Sequence, residues 1–364
     1  MNQRPKLALI LPLLVIVLIV IGGIVFIVNQ KNNATATLPV NADNDTSVAA
    51  TQSNVSSSNS SSDNHAVQLL TDKEIKARLP NLGDYPNDPK RIVVLEYSFL
   101  GDALALGLTP VGIADDSKPD SIIPEFTQQL SGYTSVGSRY QPSLEAIADL
   151  KPDLIIADDE RHTVIADELN RIAPSVVLKS RGESYVENIQ TAQLVGHIVH
   201  QDKKMSQVIN THLKKMADLK SQLAATPLAK HSVQFAIISD KGMWLHGPSS
   251  YAGSLLNHLN IKSPIPEQTG EAYIATSLEQ LIAANPDWLL IGRYNDHTIY
   301  DEWKSSPLFN QLTAVKNNQV IEVDPNYWAL NRSMQSAEYM SAELLKIASS
   351  QGKEGANPSV KESK

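Results

Sequence analysis

Apolar residues fill Leu7 to Val28 without a charge, with Arg4 and Lys6 before the run and Lys31 after it. A helix needs about 20 such residues to cross a bilayer core, and the basic flanks place the N-terminus inside and the remainder outside. Segment 1–31 is therefore expected to be a transmembrane signal anchor. A signal peptide cleaved near Ala34-Thr35-Ala36 is the alternative, but its apolar core is usually ~7–15 residues. Asn32 to Asn64 is Ser, Asn, Thr, Ala and Asp with almost no bulky apolar side chain. It cannot bury enough surface to fold, so 32–70 is expected to be a disordered tether.

Beyond it the pattern turns into short apolar runs alternating with helical periodicity. Strands are expected at 91–96, 110–115, 134–136, 153–158 and 175–178, with helices between them. That alternation predicts a parallel sheet covered by helices, a first α/β lobe over 71–200. A second lobe over 227–350 has strands expected at 233–239, 288–291 and 319–323, a hairpin-like one at 241–246, and a closing helix at 333–349. Residues 351–364 form a polar tail. Between the lobes, in 201–226, Met205, Val208, Ile209, Leu213, Met216, Leu219 and Leu223 recur at gaps of three and four, one apolar stripe on a long helix. Asp202 is its expected N-cap, and Thr226-Pro227 ends it.

The lobes echo each other. Residues 143–158 read SLEAIADLKPDLIIAD and residues 277–292 read SLEQLIAANPDWLLIG. Ser-Leu-Glu, Pro-Asp and an apolar run follow at the same spacing in both, predicting a capped helix, a break and a buried strand. A weaker echo places Tyr97-Ser98 and Ser250-Tyr251 at helix starts after strands. The chain reads as two related Rossmann-like lobes joined by one long helix.

Composition narrows the chemistry. There is no cysteine, hence no disulfide framework, thiolate metal site or lipidated N-terminal cysteine. A net charge of −8 argues against nucleic acid as partner. Neither a P-loop nor a G-x-S-x-G elbow occurs, and no Ser, His and Asp stand at a known catalytic spacing, so no enzyme is expected. The histidines are scattered. His212 lies on the long helix's apolar stripe as a buried structural residue, and His162 and His297 fall near strand ends without partners for a metal. Asp158, Asp159 and Glu160 read as a loop that positions Arg161.

Arginine placement is the strongest chemical signal. Arg139, Arg161, Arg181, Arg293 and, after a short loop, Arg332 all stand just beyond an expected strand. Open α/β sheets bind ligands outside the carboxyl ends of their strands. A guanidinium pairs bidentately with carboxylates, where lysine is a point charge. Arg161 and Arg293 follow the two repeat strands. Two lobes aiming such groups at one cleft predict a polyanionic ligand. Tyr97, Ser250, Tyr251 and Trp328 are expected beside them, with Ser98, Tyr140, Ser249, Tyr273 and Tyr294 in the same loops.

Four stretches carry a family resemblance: RIVVLEYSFLGDALALGLTPVGIADD at 91–116, SVGSRYQPSLEAIADLKPDLIIADDERH at 135–162, IAPSVVLKSRGESYVENIQTA at 172–192 and VIEVDPNYWALNR at 320–332. Over residues 85–350 the chain resembles the substrate-binding proteins of iron–siderophore ABC transporters, above all their ferric-dicitrate-binding branch. The resemblance implies a helical-backbone periplasmic-binding-protein fold that closes only modestly. It implies a ferric chelate between the lobes, most simply ferric dicitrate, with the iron held by the chelator, no protein metal ligand and no resident cofactor. Another anionic siderophore, haem or cobalamin is the alternative, as is a sensory ectodomain without a permease. It further implies a monomer serving an ABC permease with separate ATPase subunits, docked through Glu145 and Glu279, the acids of the two Ser-Leu-Glu triplets. Two features depart from the family pattern. A hydrophobic anchor stands where exported Gram-positive relatives carry a lipidated cysteine, and relatives often differ at Arg293.

Overall fold

The computed structural model describes residues 67–79 and 82–354. The expected anchor 1–31, most of the tether 32–70 and the end of the polar tail lie outside the described residues. The described part begins inside the expected tether. Gln193 donates to the Leu70 carbonyl and accepts from its amide, at 2.9 and 2.8 Å, so Val67–Leu70 run along the helix Tyr185–Ile198.

The first lobe holds β1 (Ile92–Val94), β2 (Gly112–Ile113), β3 (Thr134–Ser135), β4 (Leu154–Asp158) and β5 (Ser175–Leu178). They form one parallel sheet in the order β3-β2-β1-β4-β5. The second lobe holds β6 (Val233–Ser239), β7 (Gly242–His246), β8 (Tyr273–Thr276), β9 (Trp288–Arg293) and β10 (Val320–Glu322). Its order, β10-β9-β6-β7-β8, matches the first sheet position for position when β6 is laid on β1. Direction differs: β7 and β8 run antiparallel to their neighbours. A tight turn joins β6 to β7, whereas β1 reaches β2 through the helix Tyr97–Ala105, the crossover a parallel pair requires. β8 was not expected, because it follows a Pro-rich loop and is only half-buried.

The repeated motif does the same work in both lobes. Ser143 and Ser277 each cap the helix they precede. The Asp of each Pro-Asp then ties its strand to the central one: Asp153 accepts from the Lys90 and Arg91 amides, and Asp287 from the Ser232 amide and hydroxyl.

The long helix spans Asp202–Ala224 and buries Met205, Ile209, His212, Met216, Leu219 and Leu223. Gln201 rather than Asp202 is its N-cap; Asp202 pairs instead with His197 at 2.6 Å. Its stripe joins one apolar cluster running from Val94 and Tyr97 in the first lobe to Phe235, Trp328 and Leu344 in the second. Separate clusters cover the other face of each sheet, Val93, Leu95 and Ile155 in one, Ala236, Met243 and Leu245 in the other. Strand residues therefore alternate between a core the lobes share and one of their own. A continuous core across the joint resists wide opening, since parting the lobes would expose it to water.

Candidate functional site: an arginine-lined cleft

The carboxyl ends of β1, β4, β5 and β9 surround a cavity of about 680 Å³ between the lobes. Lys118, Arg139, Arg161, Arg181, Arg293 and Arg332 line it, whereas among the described residues Asp116 is the one acid that reaches the lining. All five expected arginines are thus brought together. None is bare: each is held by a carboxylate of the chain itself.

Glu96 organises the floor. Fully buried just past β1, it lies 3.6 Å from Arg139 Nη1 and 3.5 Å from Arg332 Nη2, and its other oxygen contacts Arg161 Nη1. Three guanidiniums from three separate loops share one carboxylate. Arg139 also donates twice to one Asp116 oxygen, through Nε at 2.8 Å and Nη2 at 2.6 Å, and its amide donates to the other oxygen at 2.8 Å. Asp116 and Ser117 both sit in the left-handed backbone region, φ 56° and 54°, a strained pair held at the cleft. Arg332 donates to Ser180 Oγ at 2.8 Å and the Ala329 carbonyl at 3.0 Å, and lies 3.5 Å from Glu183. Burial pushes the Glu183 carboxyl well above the usual range, against the pull of Arg332. Burial, then the neighbouring Arg332 and Arg181, bring Arg161 down to about 9; it remains charged at neutral pH. Its Nε has no hydrogen-bond partner, and the Tyr140 ring covers its face at 4.4 Å.

The strand-end acids position these arginines. Asp158 accepts from the Arg161 and Arg181 amides, both at 2.9 Å. His162 accepts from the Asp158 amide through Nδ1 and contacts the Arg139 carbonyl through Nε2 at 2.8 Å, which makes Nε2 the donor. His162 is thus a buried structural residue, while His297 is exposed.

The rim is looser. Arg181 pairs with Glu160 at 2.7 Å and lies over the Tyr273 ring. Arg293 makes a fork with Asp301, at 2.7 and 3.2 Å. Arg293 and the Thr298 amide hold the Asp301 carboxyl well below its ordinary range. The remaining lining includes Tyr140, Trp244, His246, Tyr273, Tyr294 and Asn326.

Four expected contacts do not reach the cleft. Trp328 is fully buried, tilted against Phe235, with Nε1 donating to Glu343 at 2.6 Å. The π-helical turn Asn326–Leu330 turns it inward while Asn326, Ala329 and Leu330 face the cavity. Tyr251 is buried with its hydroxyl donating to the Ser333 carbonyl. Ser250 is the buried N-cap of the helix Tyr251–His258. Tyr97 is buried, donates to the Asp115 carbonyl and supports Arg139 from beneath at 4.6 Å. Conversely, Glu96, Asp116, Trp244 and His246 went unnoticed in the sequence. Glu96 lies two residues past β1, Asp116 three past β2, Trp244 two from the end of β7 and His246 at that end, near the strand termini that drew attention to the arginines.

A model of the periplasmic binding protein family matches residues 92–327. This chain belongs to that family. The Fe(3+) dicitrate-binding periplasmic protein FecB of Escherichia coli (strain K12) is 41% identical over 259 residues, 71% of this chain and 85% of its own length. The Fe(3+)-citrate-binding protein YfmC of Bacillus subtilis (strain 168) is 40% identical over 258 residues, 71% of this chain and 80% of its own. Among solved structures, Staphylococcus aureus SirA complexed with staphyloferrin B matches with a TM-score of 0.65 at 25% identity, over 72% of this chain and 94% of SirA.

Proposed function

We propose that this periplasmic binding protein captures a ferric chelate, ferric dicitrate in the first instance, and hands it to the permease of an ABC importer. One observation carries the reading: six cationic side chains and a single acidic one line a cleft formed by both lobes. Guanidiniums match carboxylates in shape and charge, and the relatives at 40 and 41% identity are named for binding ferric citrate. The ferric ion is cargo, held by its chelator's oxygens; the protein binds and releases without chemistry. In this reading segment 1–31 keeps the domain at the outer face of the membrane.

The test uses Trp244, which lines the cleft, against Trp328, which does not. Ferric dicitrate should quench the protein's fluorescence saturably. Trp244→Phe should lose most of that change and Trp328→Phe should keep it. Failure of ferric dicitrate to quench fluorescence or to raise the melting temperature would remove it as the ligand.

Glu145 and Glu279 are exposed in the first turns of the two serine-capped helices. Its own backbone amide, then the Ser277 hydroxyl, keep the Glu279 carboxyl below the usual range. A pseudo-symmetric acidic pair suits docking on a two-fold permease. Reversing both charges, Glu145→Lys with Glu279→Lys, should abolish uptake in cells while ferric citrate binding in vitro stays intact. Loss of both together would mean the helices serve the fold instead.

A further inference from the structure

Lys118 differs from every other cation in the cleft. Each lining arginine meets a carboxylate of the chain, whereas Lys118 is exposed, lines the cavity and has neither an acidic partner nor a side-chain hydrogen bond among the described residues. The acids just before it in sequence are committed elsewhere. Asp115 accepts from the Tyr133 hydroxyl at 2.8 Å and from the Ser117 amide at 3.0 Å, and Asp116 holds Arg139. The backbone beneath it is stiff. It follows the left-handed pair Asp116 and Ser117, its amide donates to the Asp115 carbonyl at 2.9 Å, and Pro119 restricts its dihedral angles. Asn326 and Asn331 of the second lobe donate to the Asp120 and Ser121 carbonyls, at 3.3 and 2.7 Å, and brace the same loop from across the cleft. A strained turn persists only where its surroundings over-determine it. Here it carries an uncommitted ammonium, on a flexible four-carbon stem, to the cleft.

Charge felt at a distance decides what that difference does. The chain carries a net charge of −8, which as a whole repels an anion. An arginine paired with an acid a few ångströms away presents little net field to an ion still in solution, because the two contributions nearly cancel there. The guanidinium acts only on arrival, when the ligand joins or displaces its acid. An uncommitted ammonium acts from a Debye length away, ~8 Å at physiological salt.

We infer that Lys118 is the entry residue of the cleft: its ammonium meets a solvent-facing carboxylate of the incoming chelate and sets the rate of capture, whereas the paired arginines set how long the ligand stays. The inference rests on the anionic ferric-chelate reading above and divides its cations by step. Contact with Lys118 displaces no acid and desolvates no buried group, so it comes first.

The full chain and three variants are mixed with ferric citrate in a stopped-flow instrument, with tryptophan fluorescence as the signal. Lys118→Met removes the charge at similar length, and Lys118→Arg keeps it. Lys214→Met removes the same charge from an exposed position on the long helix, outside the cleft lining. At about 0.01 M salt Lys118→Met should associate about five-fold more slowly than wild type, with dissociation changed less than about two-fold. At about 1 M salt, where the screening length falls to ~3 Å, the difference should vanish. Lys118→Arg and Lys214→Met should both associate as wild type does. Unchanged association in Lys118→Met at low salt, a loss confined to dissociation, a gap that persists at high salt, a slow Lys118→Arg or an equally slow Lys214→Met each overturns the inference. A wild-type chain with no saturable response to ferric citrate removes the ferric-citrate reading along with it. A wild-type chain that responds, with Lys118→Met indifferent, removes this inference alone.

Discussion

The floor and the rim of the cleft both pair arginines with acids, yet the two arrangements are physically different. On the floor Arg139, Arg161 and Arg332 have side chains 5–8% exposed and converge on a Glu96 that no water reaches. At the rim Arg181 and Arg293 are 30 and 20% exposed, and their partners Glu160 and Asp301 are wetter still, at 55 and 38%. Buried charges cost several kcal/mol each to desolvate, and only mutual attraction and hydrogen bonds offset that cost. Exposed pairs are screened and exchange partners at little cost. The floor acid is therefore part of the fold, gathering cations that would otherwise repel. The rim acids are occupants a stronger anion can displace.

Removing the floor acid is the harshest way to break this contrast. Glu96→Gln keeps the shape and leaves three buried guanidiniums without their shared counter-charge. Breaking a buried ionic contact from one side costs about 3–5 kcal/mol, so the denaturant midpoint should fall by a corresponding amount. Ferric citrate should return part of the loss, because a polyanion supplies the missing charge to the same arginines. A variant as stable as wild type would show that Glu96 does not collect the floor.

The sequence displayed the cations but not this division among them. Five arginines beyond strand ends were visible because the carboxyl ends of parallel strands share one edge of a sheet. The long helix and the serine caps were equally plain, since each rests on patterns within a few residues; the Pro-Asp junctions were plain as breaks, though their aspartates bond partners 55 to 63 positions back. Which acid meets which arginine depends on packing across the chain: Glu96 lies 236 positions from Arg332. Side-chain direction was the other blind spot. Trp328 sits in a cleft loop by position but in the core by orientation, because a wider helical turn rotates it past the cavity. Tyr97, Ser250 and Tyr251 open helices at the cleft and point into what those helices cover. For β7 the alternation was present in Met243 to His246. It became readable only once the position of the outer core fixed which face was the wet one.

The rim should answer an acid's removal with the opposite sign and a smaller size. Asp301→Asn frees Arg293 for a ligand and takes one competing charge from the cleft mouth. The asparagine oxygen can still accept from the Thr298 amide, as Asp301 does at 3.0 Å, so the short helix Ile299–Trp303 keeps its start. Affinity for ferric citrate should rise roughly two- to five-fold, the scale of an exposed ion pair. That gain should shrink at high salt, where screening already loosens the wild-type pair. Stability should hardly move. If Asp301→Asn instead weakens binding, the rim carboxylate orients Arg293 as Glu96 gathers its three, and the two regions differ in exposure but not in role.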